Sequence, residues 1–232
     1  SIPVAIMLFA FIATLYGGSI RFTTAMLFAL AFTGEFLLGG VTGIWLGSSG
    51  TDIYLHDTYF VLAHFHYTFV PIAIIATFAA IYYWFPKMFG RKMNESWGKI
   101  HFWGTIIGFN GIFIPLFILG AGGQHRRIYN FQNYPDLAGA DMQDMRVFAT
   151  MSLIVMLVSQ IPFLINFIVS IKRGEKAGKN PWKANTLEWV APSPPPHGNF
   201  GPVLPEVYRG PYEYSVDGRE KDYWPQNEKP EP

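Results

Sequence analysis

Residues 63–67 read Ala-His-Phe-His-Tyr inside a long apolar run, and the two imidazoles invite a chemical reading. An ionisable group inside a membrane span costs on the order of 2.5–3.5 kcal/mol at mid-bilayer, so each such residue is a functional candidate. His64 and His66 are two positions apart, which on a helix is about 200° of rotation. They therefore leave opposite faces and do not readily share one ion. Each could serve its own cofactor, one on either side of the helix. Haem iron is commonly held by a proximal histidine, so two haems flanking one helix fit the spacing. Two histidines bonded to backbone or water near the membrane edge fit it equally well.

Other polar residues gather around the same region of the sequence. Asp52, His56 and Asp57 lie just upstream, where His56-Asp57 reads as a hard-cation or water site, or as a helix cap in Asp57-Thr58. Arg126-Arg127 follows Gly120-Ala121-Gly122-Gly123; paired arginines clamp carboxylates through charge-assisted bonds, or pair with lipid phosphate. Glu35 stands mid-span in Phe32-Thr33-Gly34-Glu35-Phe36, as a proton relay or as a carboxyl bonded to a neighbouring subunit. His101 is expected at a membrane interface, and His125 and His197 in structural roles.

The elements that must carry these residues are helices in a bilayer. Half of the 232 residues are hydrophobic and only 14% are charged, against about a quarter in soluble domains. A hydrocarbon core about 30 Å thick needs roughly 20 apolar residues of helix. The runs 22–46, 59–85, 100–119 and 147–171 meet that length, and 2–16 is a shorter fifth span. The expected fold is all-α: a polytopic transmembrane helix bundle over 1–171, followed by an extended polar tail over 172–232 rich in proline. Ser1 at the edge of the short span suggests a chain truncated at its N-terminus. Pro71, Pro115 and Pro162 fall inside spans, as a packed bundle tolerates.

Charge sets the orientation. Lys87, Arg91, Lys92 and Lys99, and then Lys172, Arg173, Lys176 and Lys179, fall on one side of five alternating spans. The positive-inside rule makes that side cytoplasmic, the tail included. The segments 47–58 and 120–146 then face outward, which puts His64, His66, Arg126 and Arg127 toward one face. A net charge of +1 gives no case for nucleic acid. The absence of cysteine removes thiolate ligands and nucleophiles, so metal chemistry falls to histidine, carboxylates or a partner.

From His56-Asp57-Thr58-Tyr59-Phe60 through His64-Phe65-His66-Tyr67 the sequence resembles subunit I of bacterial haem–copper terminal oxidases. Ala13-Thr14-Leu15-Tyr16-Gly17-Gly18, Gly39-Gly40-Val41-Thr42-Gly43, Lys99-Ile100-His101-Phe102, Tyr134-Pro135-Asp136 and Thr186-Leu187-Glu188-Trp189 follow in the family's order. The resemblance covers the whole chain as the C-terminal half of that subunit. It implies that His64 is the axial ligand of a high-spin haem and His66 an axial ligand of a low-spin haem. It implies further that Arg126, Arg127 and Asp52 attend haem propionates, and that His56 and Asp57 contribute to a magnesium site shared with subunit II.

On that resemblance the chain is part of a multi-chain enzyme of the bacterial inner membrane that reduces dioxygen to water and takes up protons. The copper ligands would lie outside this chain, in the N-terminal half of subunit I. Subunit II and other oxidase subunits are the expected partners, and cytochrome c or a quinol the expected donor. The position where the family commonly has a proton-conducting lysine is Met7, and a frequent threonine is Val4. That departure keeps a nitric oxide reductase-like member open, and a redox-silent membrane subunit remains an alternative of another class.

Overall fold

A computed structural model describes residues 2–211, 213 and 223–230. Its described residues are helical or irregular, with no strand among them. The helices are α1 (Ile2–Leu15), α2 (Thr24–Leu46), α3 (Ser49–Leu55), α4 (Tyr59–Val70), α5 (Ala76–Phe89), α6 (Glu95–Ala121), α7 (Ala140–Val158) and α8 (Gln160–Arg173). Four apolar helical stretches are long enough to cross a membrane: Thr24–Leu46, Tyr59–Phe89, Glu95–Ala121 and Ala140–Arg173; α1 is apolar but shorter. The bundle expected from composition is thus the fold observed.

Three local features depart from the expected runs, each for a backbone reason. Segment 47–58, expected to connect two spans on the outer side, contains α3, a seven-residue helix. The second long stretch passes from α4 to α5 through a π-helical turn at Pro71–Ile75. Proline has no N–H to offer the carbonyl four residues back, here that of Tyr67. The freed Tyr67 carbonyl lies against α2, where a Cβ on Gly39 would sit 2.7 Å from it. The last stretch breaks at Ser159, the C-cap of α7. Pro162 accounts for the break, because it supplies no N–H to the Val158 carbonyl.

The chain divides into two compact units, one running through Ile81 together with Glu95–Leu164, the other made of Tyr82–Asn94 and the chain from Ile165 onward. In the first, α4 packs on both α2 and α6, α6 packs along α7, and α1 rests on α2. Lipid offers no hydrophobic drive between helices, so close approach at small residues does the work. Gly104, Gly108 and Gly111 of α6 face Ser159, Met156 and Ser152, and Gly120 leaves no room for a Cβ against Phe60. At the opposite end Glu95 Oε2 accepts from the Thr24 N–H at 2.8 Å and from its hydroxyl at 2.7 Å. That bond satisfies a first-turn donor of α2 and ties the starts of α2 and α6 together.

The second unit is built on the polar segment after α8. Lys87 donates to the Ala191 carbonyl at 2.7 Å beside the buried Trp189 ring, and Trp182 Nε1 donates to the Tyr83 carbonyl at 2.9 Å. Among its described residues the segment is irregular, with turns and bends and one 3-10 turn at Leu187–Trp189. Indole and ammonium groups, not helices, anchor it.

Candidate functional site

The start of α4 is fixed by a short backbone ladder. Thr58 and His125 form an isolated antiparallel bridge. On either side of it Tyr59 N–H donates to the Gln124 carbonyl at 2.9 Å and Arg126 N–H to the Asp57 carbonyl at 3.0 Å. Asp57 and Arg127 adopt positive φ, 54° and 65°, which a side chain tolerates only where surrounding bonds impose it. Arg126 Nε donates to Asp57 Oδ1 at 2.7 Å and Nη2 reaches the same oxygen. The Arg126 guanidinium holds the Asp57 carboxyl below its ordinary pKa, chiefly by this hydrogen bond. The cap of α4 is Thr58, whose hydroxyl accepts from Phe60 N–H at 3.2 Å, and not Asp57.

His64 projects from α4 onto α2. Its Nδ1 lies 3.0 Å from the Gly39 carbonyl and 3.1 Å from Thr42 Oγ1. The Thr42 hydroxyl points its proton at backbone carbonyls of its own helix, at 2.9 and 3.0 Å, so toward His64 it accepts. The bonding therefore selects the tautomer with the proton on Nδ1 and the lone pair on Nε2. A Cβ on Gly43 would come 2.9 Å from the ring's Cε1 and 3.6 Å from Nε2, so glycine there leaves the ring its seat.

His66 leaves the other side of α4 toward α6. Its ring stacks on Phe113 at 4.3 Å, and its Nδ1 donates to the Leu62 carbonyl one turn back at 2.7 Å. Both imidazoles are half-buried and both are fixed at Nδ1 by a backbone carbonyl. Anchoring one ring nitrogen in this way is how a protein sets the tautomer of a metal-binding histidine and aims the other nitrogen. The donor set therefore fits two separate axial positions, one on each face of the helix.

The remaining expected residues are less closely joined. Asp52 sits half-buried in the first turn of α3. Arg127 is exposed, adjacent to the clasped Arg126. His56 Nε2 stands 3.5 Å from Asp57 Oδ2. Among the described residues no cluster of three or more histidine, aspartate or glutamate side chains forms. A hard divalent cation takes about six oxygen-rich ligands, so this pair fits one only with donors from a partner.

Glu35, expected as a proton relay or as a carboxyl bonded to a neighbouring subunit, has a partner within this chain, Asn110. The carboxyl is buried, and Asn110 Nδ2 donates to its Oε1 at 2.6 Å. Tyr67 of α4, next to His66, donates to Asn110 Oδ1 at 2.8 Å. His101, expected at the interface, is fully buried and hydrogen-bonded to Gln160 at 3.1 Å. Thr42 and Asn110 were not singled out in the sequence. A lone asparagine inside the apolar run 100–119 was the available signal, whereas threonine bonds its own helix too often to mark a site.

Residues 1–159 match the family model described as cytochrome C and quinol oxidase polypeptide I. The chain is 43% identical over 217 residues to cytochrome c oxidase subunit 1 of Synechocystis sp., covering 94% of this chain and 38% of that protein. It is 42% identical over 231 residues to alternative cytochrome c oxidase subunit 1 of Bradyrhizobium diazoefficiens, covering 99% of this chain and 39% of the relative. Cytochrome c oxidase subunit 1 of Bacillus subtilis is 39% identical over 201 residues, 86% of this chain and 32% of its own length. The chain thus spans well under half the length of these relatives. A solved structure described as a haem–copper terminal oxidase dimer shares the fold, with a TM-score of 0.55 and 18% identity over 66% of this chain and 27% of that one.

Proposed function

The chain belongs to the cytochrome c and quinol oxidase polypeptide I family, and from that membership we propose that it forms part of the catalytic subunit of a respiratory haem–copper oxidase. The observation that carries this reading is the pair on α4: His64 and His66 face different helices, and each is pinned at Nδ1 with Nε2 left to ligate. His64 would hold the iron of the oxygen-reducing haem and His66 that of the electron-transferring haem. When bound, these groups supply the electron transfer that reduces dioxygen to water, together with a copper ion held by residues outside this chain.

The protein's own part is placement and charge. Gly39 and Thr42 orient the His64 ring, and Phe113 flanks the His66 ring. His64 lies five positions beyond Tyr59, about 7.5 Å along the helix, so the ladder at Thr58 and His125 sets the height of Arg126 and Arg127 above both imidazoles. The two guanidiniums would bind haem propionates, with Asp52 nearby, and keep those carboxylates ionised. His56 and Asp57 would complete a magnesium site with a second subunit. The lipid bilayer, the rest of subunit I and further oxidase subunits are the partners, in a bacterial inner membrane with the tail on the cytoplasmic side. The curated relatives are named cytochrome c oxidases, which favours cytochrome c over a quinol as donor and oxygen over nitric oxide as substrate. Reduced-minus-oxidised spectra of the purified complex test the reading: bands of a high-spin and a low-spin haem are expected, and a complex without haem bands would sink it.

A further inference from the structure

Glu35 is the sole ionisable residue of α1 and α2 together. In α2, Thr24–Leu46, 11 residues precede it and 11 follow it (35 − 24 and 46 − 35). At about 1.5 Å per residue this is the middle of a span, about 16 Å from either end. Phe28, Glu35, Gly39 and Thr42 are all buried or close-packed and recur at helical spacing along α2. Glu35 therefore sits one turn below Gly39, whose carbonyl holds His64, on the face turned toward α4. The Glu35 carboxyl is asymmetric. Oε1 accepts from Asn110 at 2.6 Å, while Oε2 is buried with no protein partner among the described residues.

A buried oxygen without a partner is rare in a folded protein and marks a bound water, a strained group or a chemical role. Among the described residues, no cation of the elements packed on α2 is paired with this carboxyl. α1 has no ionisable side chain, α6 contributes the neutral Asn110, and α4 contributes Tyr67, whose hydroxyl is engaged with Asn110. Since Oε1 is the accepting oxygen, a proton on this carboxyl would sit on Oε2. Met7, on α1, has a side chain that exchanges no proton.

We propose that Glu35 is a proton-transfer site on the inner approach to the oxygen-reducing centre, with Oε2 giving its proton to an internal water and regaining one from water on the Glu95 side. Asn110, held by Tyr67, is its positioning residue: it fixes Oε1 and so dictates which oxygen exchanges. The inference rests on the oxidase reading, and it assigns a route through α2 that does not use the position of Met7.

The test uses redox-difference infrared spectra of the intact, haem-loaded complex. A protonated-carboxyl C=O band that shifts in deuterium oxide is expected. It should vanish in Glu35→Gln while haem bands stay, and turnover should fall by at least about tenfold. A band that survives Glu35→Gln, or full turnover in that variant, overturns the proposal and leaves Glu35 a packing group. If Glu35→Gln does not assemble, Asn110→Ala decides, since it keeps the acid and removes its donor. The C=O band should then move to higher frequency, and an unmoved band overturns the assignment. Loss of haem bands in the unsubstituted complex would instead count against the oxidase reading itself.

Discussion

Asp57 and Arg126, 69 positions apart, are joined twice: the Arg126 N–H donates to the Asp57 carbonyl at 3.0 Å and its guanidinium Nε to Asp57 Oδ1 at 2.7 Å. One pair thus fixes the backbone at the start of α4 and also neutralises part of an arginine cluster. Because the Asp57 pKa is lowered by Arg126, the carboxylate's contribution is complete above the ordinary aspartate value of about 3.9. It is lost as pH falls through the lower folded value. Thermal midpoints of the wild type and Asp57→Asn should differ by a constant amount from neutral pH down to mildly acid pH, then converge. A gap that closes already between about pH 6 and 8, well above the carboxylate range, would overturn the assignment to Asp57.

His64 and His66 should be separable by substitution. His64 is seated on α2 through Gly39 and Thr42, His66 on α6 through Phe113. His64→Ala is expected to deplete the high-spin haem signal and leave much of the low-spin one, and His66→Ala to do the reverse. Optical and electron paramagnetic resonance spectra of the two variants read this directly. Both signals intact in both variants would remove haem ligation from this motif.

The contact between Gly39 and the Tyr67 carbonyl makes a sharper packing prediction. A methyl at Gly39 would meet Tyr67 C and O at 2.7 Å and Thr68 Cγ2 at 2.9 Å, all belonging to the helix that carries both histidines. Backbone does not yield like a side chain, so Gly39→Ala should cost on the order of 1–3 kcal/mol and broaden the His64-side spectrum. Gly34→Ala is the control. No atom lies within 4 Å of a Cβ there, and the exchange should be neutral or stabilising by about 0.5–1 kcal/mol. Equal losses of thermal stability in the two variants would refute the steric account.

The spans and the divergence of the two imidazoles were legible because both follow from simple periodicities: about 20 apolar residues per bilayer crossing and about 100° per helical residue. α3 was not, since seven residues containing Ser49, Gly50, Thr51 and Asp52 show neither an apolar run nor a repeat. The Asp57–Arg126 clasp and the Glu35–Asn110 bond join residues 69 and 75 positions apart. One sequence offers charge complementarity for the first and two lone polar residues for the second, but no register between helices. The break at Ser159 was half visible: Pro162 marks it, yet the cap falls three residues earlier because proline disables the carbonyl behind it.

Orientation in the membrane is tested by labelling, and the absence of cysteine makes single-cysteine variants clean. Ser49 begins α3 and Ser96 lies in the first turn of α6; both are exposed. The bundle sets them at opposite ends of α2. Glu95, next to Ser96, bonds Thr24 at the start of that helix, whereas Ser49 follows its last residue, Leu46. Lys87, Arg91, Lys92 and Lys99 flank Ser96, and a positive segment is retained in the cytoplasm. In intact spheroplasts an impermeant thiol reagent should therefore modify Ser49→Cys and spare Ser96→Cys, with both labelled after lysis. The reverse pattern would invert the topology, carry Arg126 and Arg127 to the inner face, and leave Glu35 fed from the outer side. Labelling of both residues in intact cells would mean that the two lie on the same side, which α2 cannot allow if it crosses the bilayer.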